Sequence, residues 1–117
     1  MRHGKVVKKL DRNRGGRKAL FRQLEINLIT VGKIRTTIAK AKAMRPKIEH
    51  LITKAKTGTP AAERFVQAEL NNPVAVKKLM KEIAPSFAKR SGGYTRITKV
   101  SARRGDGADM GVIEFVK

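Results

Sequence analysis

Residues 91–116 read SGGYTRITKVSARRGDGADMGVIEFV, and this stretch decides the fold class. Its first part, YTRITKVS from Tyr94, is rich in β-branched residues and roughly alternates, the pattern of a half-buried strand. The run from Met110 to Val116 sets Gly111, Ile113 and Phe115 against Val112, Glu114 and Val116, again with a period of two. Between the two, Gly105-Asp106-Gly107 is turn chemistry: glycine reaches positive φ cheaply, and aspartate bonds nearby backbone. The pattern predicts a C-terminal hairpin whose loop carries Arg103 and Arg104.

Upstream the period changes to that of helices. Phe21, Leu24, Leu28 and Val31 recur at spacings of three and four, predicting a helix from Arg17 to Val31 that stops at Gly32. KIRTT at Lys33–Thr37 suits a short strand, and Thr37 can cap a second helix. Ile38, Ala41, Met44, Ile48, Leu51 or Ile52, and Ala55 form the apolar stripe of that helix. Pro46 inside it predicts a kink or a break. Thr57-Gly58 ends the helix and Thr59-Pro60 starts another, which runs to about Leu70 with Phe65 and Ala68 or Glu69 on one face. Asn72-Pro73 repeats the start signal; Val76, Leu79 or Met80, and Ile83 give the stripe, and Ala84-Pro85 is expected to close the helix. The expected fold is a two-layer α+β domain, helices on a small three-stranded mixed sheet in the order α-β-α-α-α-β-β. It occupies residues 17–117 behind an extended basic arm at residues 1–16.

Charge narrows the function. Lys and Arg number 28 against 9 Asp and Glu, a formal charge of +19 that opposes compaction unless a polyanion neutralises it. Nucleic acid is the first such partner and an anionic membrane surface the second. With 40% hydrophobic residues the chain can still build a core, so it is more than a basic tail. Aromatics make up only 4%, which turns the reading away from base stacking and toward phosphate contacts. The absence of Cys excludes disulfides, thiolate metal sites and Cys nucleophiles. No apolar run approaches a membrane span or the h-region of a signal peptide, so the cytoplasm is the expected location.

The strongest single feature is the arm. Arg2, Lys5, Lys8, Lys9, Arg12, Arg14, Arg17 and Lys18 stand against one acid, Asp11. Arg matches phosphate with a planar fork and Lys with a mobile point charge. The bland alternative is a solubilising tail. Gly and Asn interspersed with Arg favour irregular RNA, and no helix-turn-helix, zinc finger or heptad repeat supports sequence-specific DNA readout. Histone-like packing of DNA stays open on these grounds.

Catalysis finds little support. His3 can meet a nucleotide or be incidental, and His50 lacks evident partners. The acids Glu25, Glu49, Glu63, Glu69, Glu82, Asp106, Asp109 and Glu114 form no paired motif. Neither Gly15-Gly16 nor Gly92-Gly93 sits in a phosphate-binding fingerprint. Tyr94 has two readings, a core residue closing the sheet or a platform stacking on a nucleotide beside Arg96. No enzyme, cofactor, metal or small-molecule substrate is expected.

Several blocks also carry a family likeness. MRHGK at the start, RKALFRQL from Arg17, KIRTTIAKAK from Lys33, LITKAKTG from Leu51, GGYTRI from Gly92 and RRGDGA from Arg103 together resemble the bacterial large-subunit ribosomal protein seventeen family. The likeness covers essentially the whole chain in order. It implies an α+β domain bound to large-subunit ribosomal RNA near the exit of the peptide tunnel, a monomer beside other large-subunit proteins. The family's basic arm falls on Arg2, His3, Lys5, Lys8, Lys9, Arg12, Arg14, Arg17 and Lys18. Body contacts implied by the likeness are Arg22, Lys33, Arg35, Arg96, Arg103 and Arg104, with Tyr94 as the candidate stacking residue. Gly4 and Gly16 stand where the family often has a basic residue and a histidine, and Pro46 is unusual for its long helix.

Overall fold

A computed structural model describes residues 13–116. Helix α1 spans Arg14–Val31, strand β1 Lys33–Thr37, helix α2 Ile38–Ala55 and helix α3 Pro60–Leu70. Helix α4, Pro73–Lys78, runs through a wide π-helical turn at Leu79–Ile83 into a short helical turn α5, Ala84–Ser86; strands β2, Thr95–Val100, and β3, Met110–Phe115, complete the chain. The α-β-α-α-α-β-β order is the expected one.

Local chemistry sets the boundaries. Asn13 caps α1, its side chain accepting the Gly16 N–H at 2.7 Å. The helix therefore takes in Arg14, Gly15 and Gly16, residues expected in the extended arm; residues 1–12 lie outside the described chain. Gly32 stops α1 in the left-handed region at φ 97°, its N–H reaching the Leu28 carbonyl at 2.7 Å. Thr37 ends β1 and caps α2 with no loop between, accepting the Lys40 N–H at 3.3 Å. Asn71 closes α3 with φ 50°, and Asn72 immediately caps α4 through the Ala75 N–H.

Of the two proline expectations, the alternative of a break at Pro46 is excluded and the stop at Ala84-Pro85 is corrected. Helix α2 continues through Pro46, which is exposed, so water can reach the Lys42 carbonyl that proline leaves without its helical donor. Buried Met44 and Ile48 hold the helix on either side. Ala84-Pro85 does not close the last helix. The π turn bonds the Ala84 N–H to the Leu79 carbonyl, five residues back, and this widening just ahead of Pro85 eases its clash with the preceding turn.

The sheet has the order β1-β3-β2 and is antiparallel throughout, not mixed. The hairpin makes β2 and β3 antiparallel. Strand β1 joins the other side of β3 with Thr37 opposite Met110, and the Ile38 N–H bonds the Asp109 carbonyl at 2.9 Å. That junction puts the end of β1 beside the start of β3, so the pair runs antiparallel. Ile34 and Ile97 flank Ile113 in register on the face that α2 covers.

The core lies around α2, whose Ala41, Met44, Ile48, Leu51, Ile52 and Ala55 are buried between the sheet and the other helices. Phe21, Leu28 and Ile29 meet them from α1, Val66 and Leu70 from α3, and Val76, Leu79 and Ile83 from the last helix. The buried faces are rotated from two expectations. Val31 is 70% exposed, and the buried face of α1 runs Phe21, Glu25, Leu28, Ile29, with a carboxylic acid inside the stripe. In α3 the buried face is Ala62, Val66 and Leu70; Phe65 is half-buried, and Ala68 and Glu69 are exposed.

Candidate nucleic-acid interface

The cations of the body fall into groups set by the fold. The largest lies where α1 packs on α2. Arg14, Arg17, Lys18, Arg22, Lys42 and Lys47 line a groove of about 790 Å³, together with Phe21, Ala43 and Pro46 and the acids Glu25 and Glu69. A second hollow of about 470 Å³ is lined by Ile38, Lys42, Arg45, Pro46, Ile97 and Lys99. Lys42 and Pro46 belong to both, so the two form one basic track from α1 across α2 to β2.

Glu25 sits in the groove at 4% exposure. Burial pushes its carboxyl from an ordinary 4.5 up to about 7; nearby Lys47 pulls against that, Glu69 adds to it, and Arg22 opposes it. Lys47 stacks over the Phe21 ring, its Nζ 5.3 Å from the centroid. Arg22 donates from Nε to the Glu69 carbonyl at 2.9 Å and from Nη2 to the Ala68 carbonyl at 3.4 Å. It thus ties α1 to the last carbonyls of α3, where a cation also suits the helix dipole.

The sheet face turned away from α2 carries a second group. By strand alternation Lys33, Arg35 and Arg96 share this face with Thr98, Val112 and Glu114. Arg96 is paired with Glu114, at 3.2 Å from Nε and 2.7 Å from Nη2. Lys33 lies opposite the same Glu114, while Arg35 lies opposite Val112.

At the hairpin tip the two arginines differ. Arg103 clamps Asp106 at 3.1 and 2.5 Å, and the same carboxylate accepts the Ala108 N–H. These donors hold the Asp106 carboxyl down at about 2, the Arg103 hydrogen bond contributing most. Gly105 and Gly107 take the positive φ values, 98° and 67°, that the turn needs. Arg103 therefore braces the loop, whereas neighbouring Arg104 is exposed and has no ion-pair partner among the described residues.

The structure separates the predicted site residues accordingly. It brings Arg14, Arg17, Lys18 and Arg22 together at one groove, leaves Lys33, Arg35 and Arg96 on the sheet, and puts Arg103 and Arg104 on the hairpin. Arg2, His3, Lys5, Lys8, Lys9 and Arg12 lie outside the described residues. Tyr94 is corrected as a stacking platform. It is 1% exposed, packs on Phe87 at 5.2 Å, and its hydroxyl meets Thr53 Oγ1 at 3.3 Å and Lys56 Nζ at 3.2 Å. The core alternative is the one realised. Reading the sequence missed Lys42, Arg45, Lys47 and Lys99; the run KAKAMRPK was weighed for its apolar stripe, and its cations on the opposite side were the available signal.

Among the described residues no group of His, Cys, Asp and Glu could hold a metal ion, and no helix is long and apolar enough to cross a membrane. His50 makes an edge contact with the Phe65 ring at 5.7 Å.

Comparison with known proteins agrees with the likeness read from the sequence. The family model described as Ribosomal protein L17 matches residues 20–116. A protein of Persephonella marina named "Large ribosomal subunit protein bL17" is 53% identical over 119 residues, covering 100% of this chain and 96% of its own. Proteins of the same name from Campylobacter lari and Chloroflexus aggregans are 51% and 48% identical over 116 residues, each covering 99% of this chain and 99% and 100% of their own. The chain belongs to the ribosomal protein L17 family.

Proposed function

We propose that the chain is a structural, non-catalytic constituent of the large ribosomal subunit that binds and stabilises large-subunit ribosomal RNA near the exit of the peptide tunnel. The observation that carries this reading is end-to-end similarity to proteins named for the large subunit, in a chain of net charge +19. The mechanism is electrostatic and geometric. The arm threads into RNA while the body lays its basic surfaces on it, and neutralised phosphates allow RNA segments to approach that otherwise repel. Neighbouring large-subunit proteins complete its surroundings, and it acts as a monomer among them. Co-sedimentation of the tagged chain with large subunits, then crosslink mapping, tests the reading. Crosslinks to large-subunit RNA around the tunnel exit are expected. Absence from the large-subunit peak, or equal affinity for random duplex DNA at physiological salt, would overturn it.

A further inference from the structure

We propose that the groove between α1 and α2 is the body's own seat for the RNA backbone, with Lys42 where the groove meets the second hollow and Glu25 beneath the seated phosphates. This rests on the proposed RNA-binding role and locates it on the folded body. Four observations converge on the groove. It is the larger of the two hollows that form the basic track, at about 790 Å³. Lys42 lines both hollows, is exposed, and has no ion-pair partner among the described residues, so its charge is uncommitted. By contrast Arg96 and Arg103, on the sheet and hairpin, are already held by Glu114 and Asp106. Phe21, Ala43 and Pro46 give the groove an apolar part against which a ribose can lie, and its six cations outnumber its two acids, Glu25 and Glu69.

Glu25 gives the seat a pH signature that comparison with Glu25→Gln isolates, since every other titrating group is common to both proteins. The groups facing it are Arg22 on its own helix, Lys47 on α2 and Glu69 on α3, with Lys18 and Lys42 further along the groove. Its carboxyl titrates at about 7. A phosphate entering nearby is a second anion and favours the neutral acid, so seating the RNA takes up a proton. Affinity then rises as pH falls through neutrality.

The test uses the full chain and a transcript of large-subunit ribosomal RNA, titrated at fixed ionic strength between pH 6 and 8.5. Wild type is expected to bind more weakly at the alkaline end, and Glu25→Gln to lose about tenfold of that dependence while keeping tight binding. Lys42→Gln should reduce the slope of log affinity against log salt by about 0.9, whereas Lys81→Gln, on the exposed side of the last helix, serves as the reference surface change. Thermal melts confirm that each variant is folded. Binding of normal strength with an unchanged Lys42→Gln slope, or a Glu25→Gln pH profile that tracks wild type, overturns the groove and leaves the proposed function standing. Failure of wild type to prefer large-subunit RNA over duplex DNA overturns both.

Discussion

Replacing Glu25 by Gln puts the packing of α1 to a quantitative test. The carboxyl is 4% exposed and titrates at about 7 in the folded protein, against 4.5 for an ordinary glutamate. The folded state therefore holds a proton through a pH range in which the unfolded chain has released it. Stability from this group is full below about pH 4.5, declines as pH rises through 7, and is flat above. At about 1.4 kcal/mol per pH unit, the whole window amounts to a destabilisation on the order of 3 kcal/mol at alkaline pH. The amide is nearly isosteric and carries no charge to bury. Glu25→Gln should match wild type near pH 4 and exceed it by up to about 3 kcal/mol at pH 8.5. Urea titrations of both proteins at a series of pH values and constant ionic strength provide the assay. Taking the difference between them cancels the other titrating groups, including both histidines. A difference that does not change with pH, or one that favours the variant more in acid, would refute the buried, raised-pKa carboxyl.

The same contacts have other consequences. Phe21→Ala should cost about 3–5 kcal/mol, since the ring is 6% exposed and supports Lys47 as well as the core; a near-wild-type melting temperature would remove it from the packing. Asn13→Ala should cost about 1 kcal/mol by leaving the Gly16 N–H without its cap, read as a lowered urea midpoint. Deleting residues 1–12, with Asn13 kept, should leave the melting temperature of the body nearly unchanged but flatten the salt dependence of RNA binding; an unchanged slope would mean that the arm is not an anchor. At the hairpin, Arg104→Gln should lower the salt slope by about 1 without altering stability, whereas Arg103→Gln should raise hydrogen exchange at the Ala108 and Gly107 amides.

What the sequence determined by itself is whatever is encoded within a few residues. Helix starts at Thr37, Thr59 and Asn72, the stop at Gly32, and the period of two on either side of Gly105-Asp106-Gly107 are local chemistry, and each is where the pattern put it. The +19 charge and the blocks shared with the family are likewise properties of the chain alone. The tertiary structure decided what depends on which residues meet. It turned the sheet antiparallel, because the junction of β1 with α2 had to lie beside the start of β3. It carried the last helix past Pro85 through a π turn and buried Tyr94 among Phe87, Thr53 and Lys56. Above all it sorted the cations. In sequence Arg96, Arg103 and Lys42 are equivalent basic residues; in the fold the first two have carboxylate partners and Lys42 lines a groove. A charge becomes available for binding only when the fold brings no opposite charge to it, and that is settled by contacts between residues far apart in the chain.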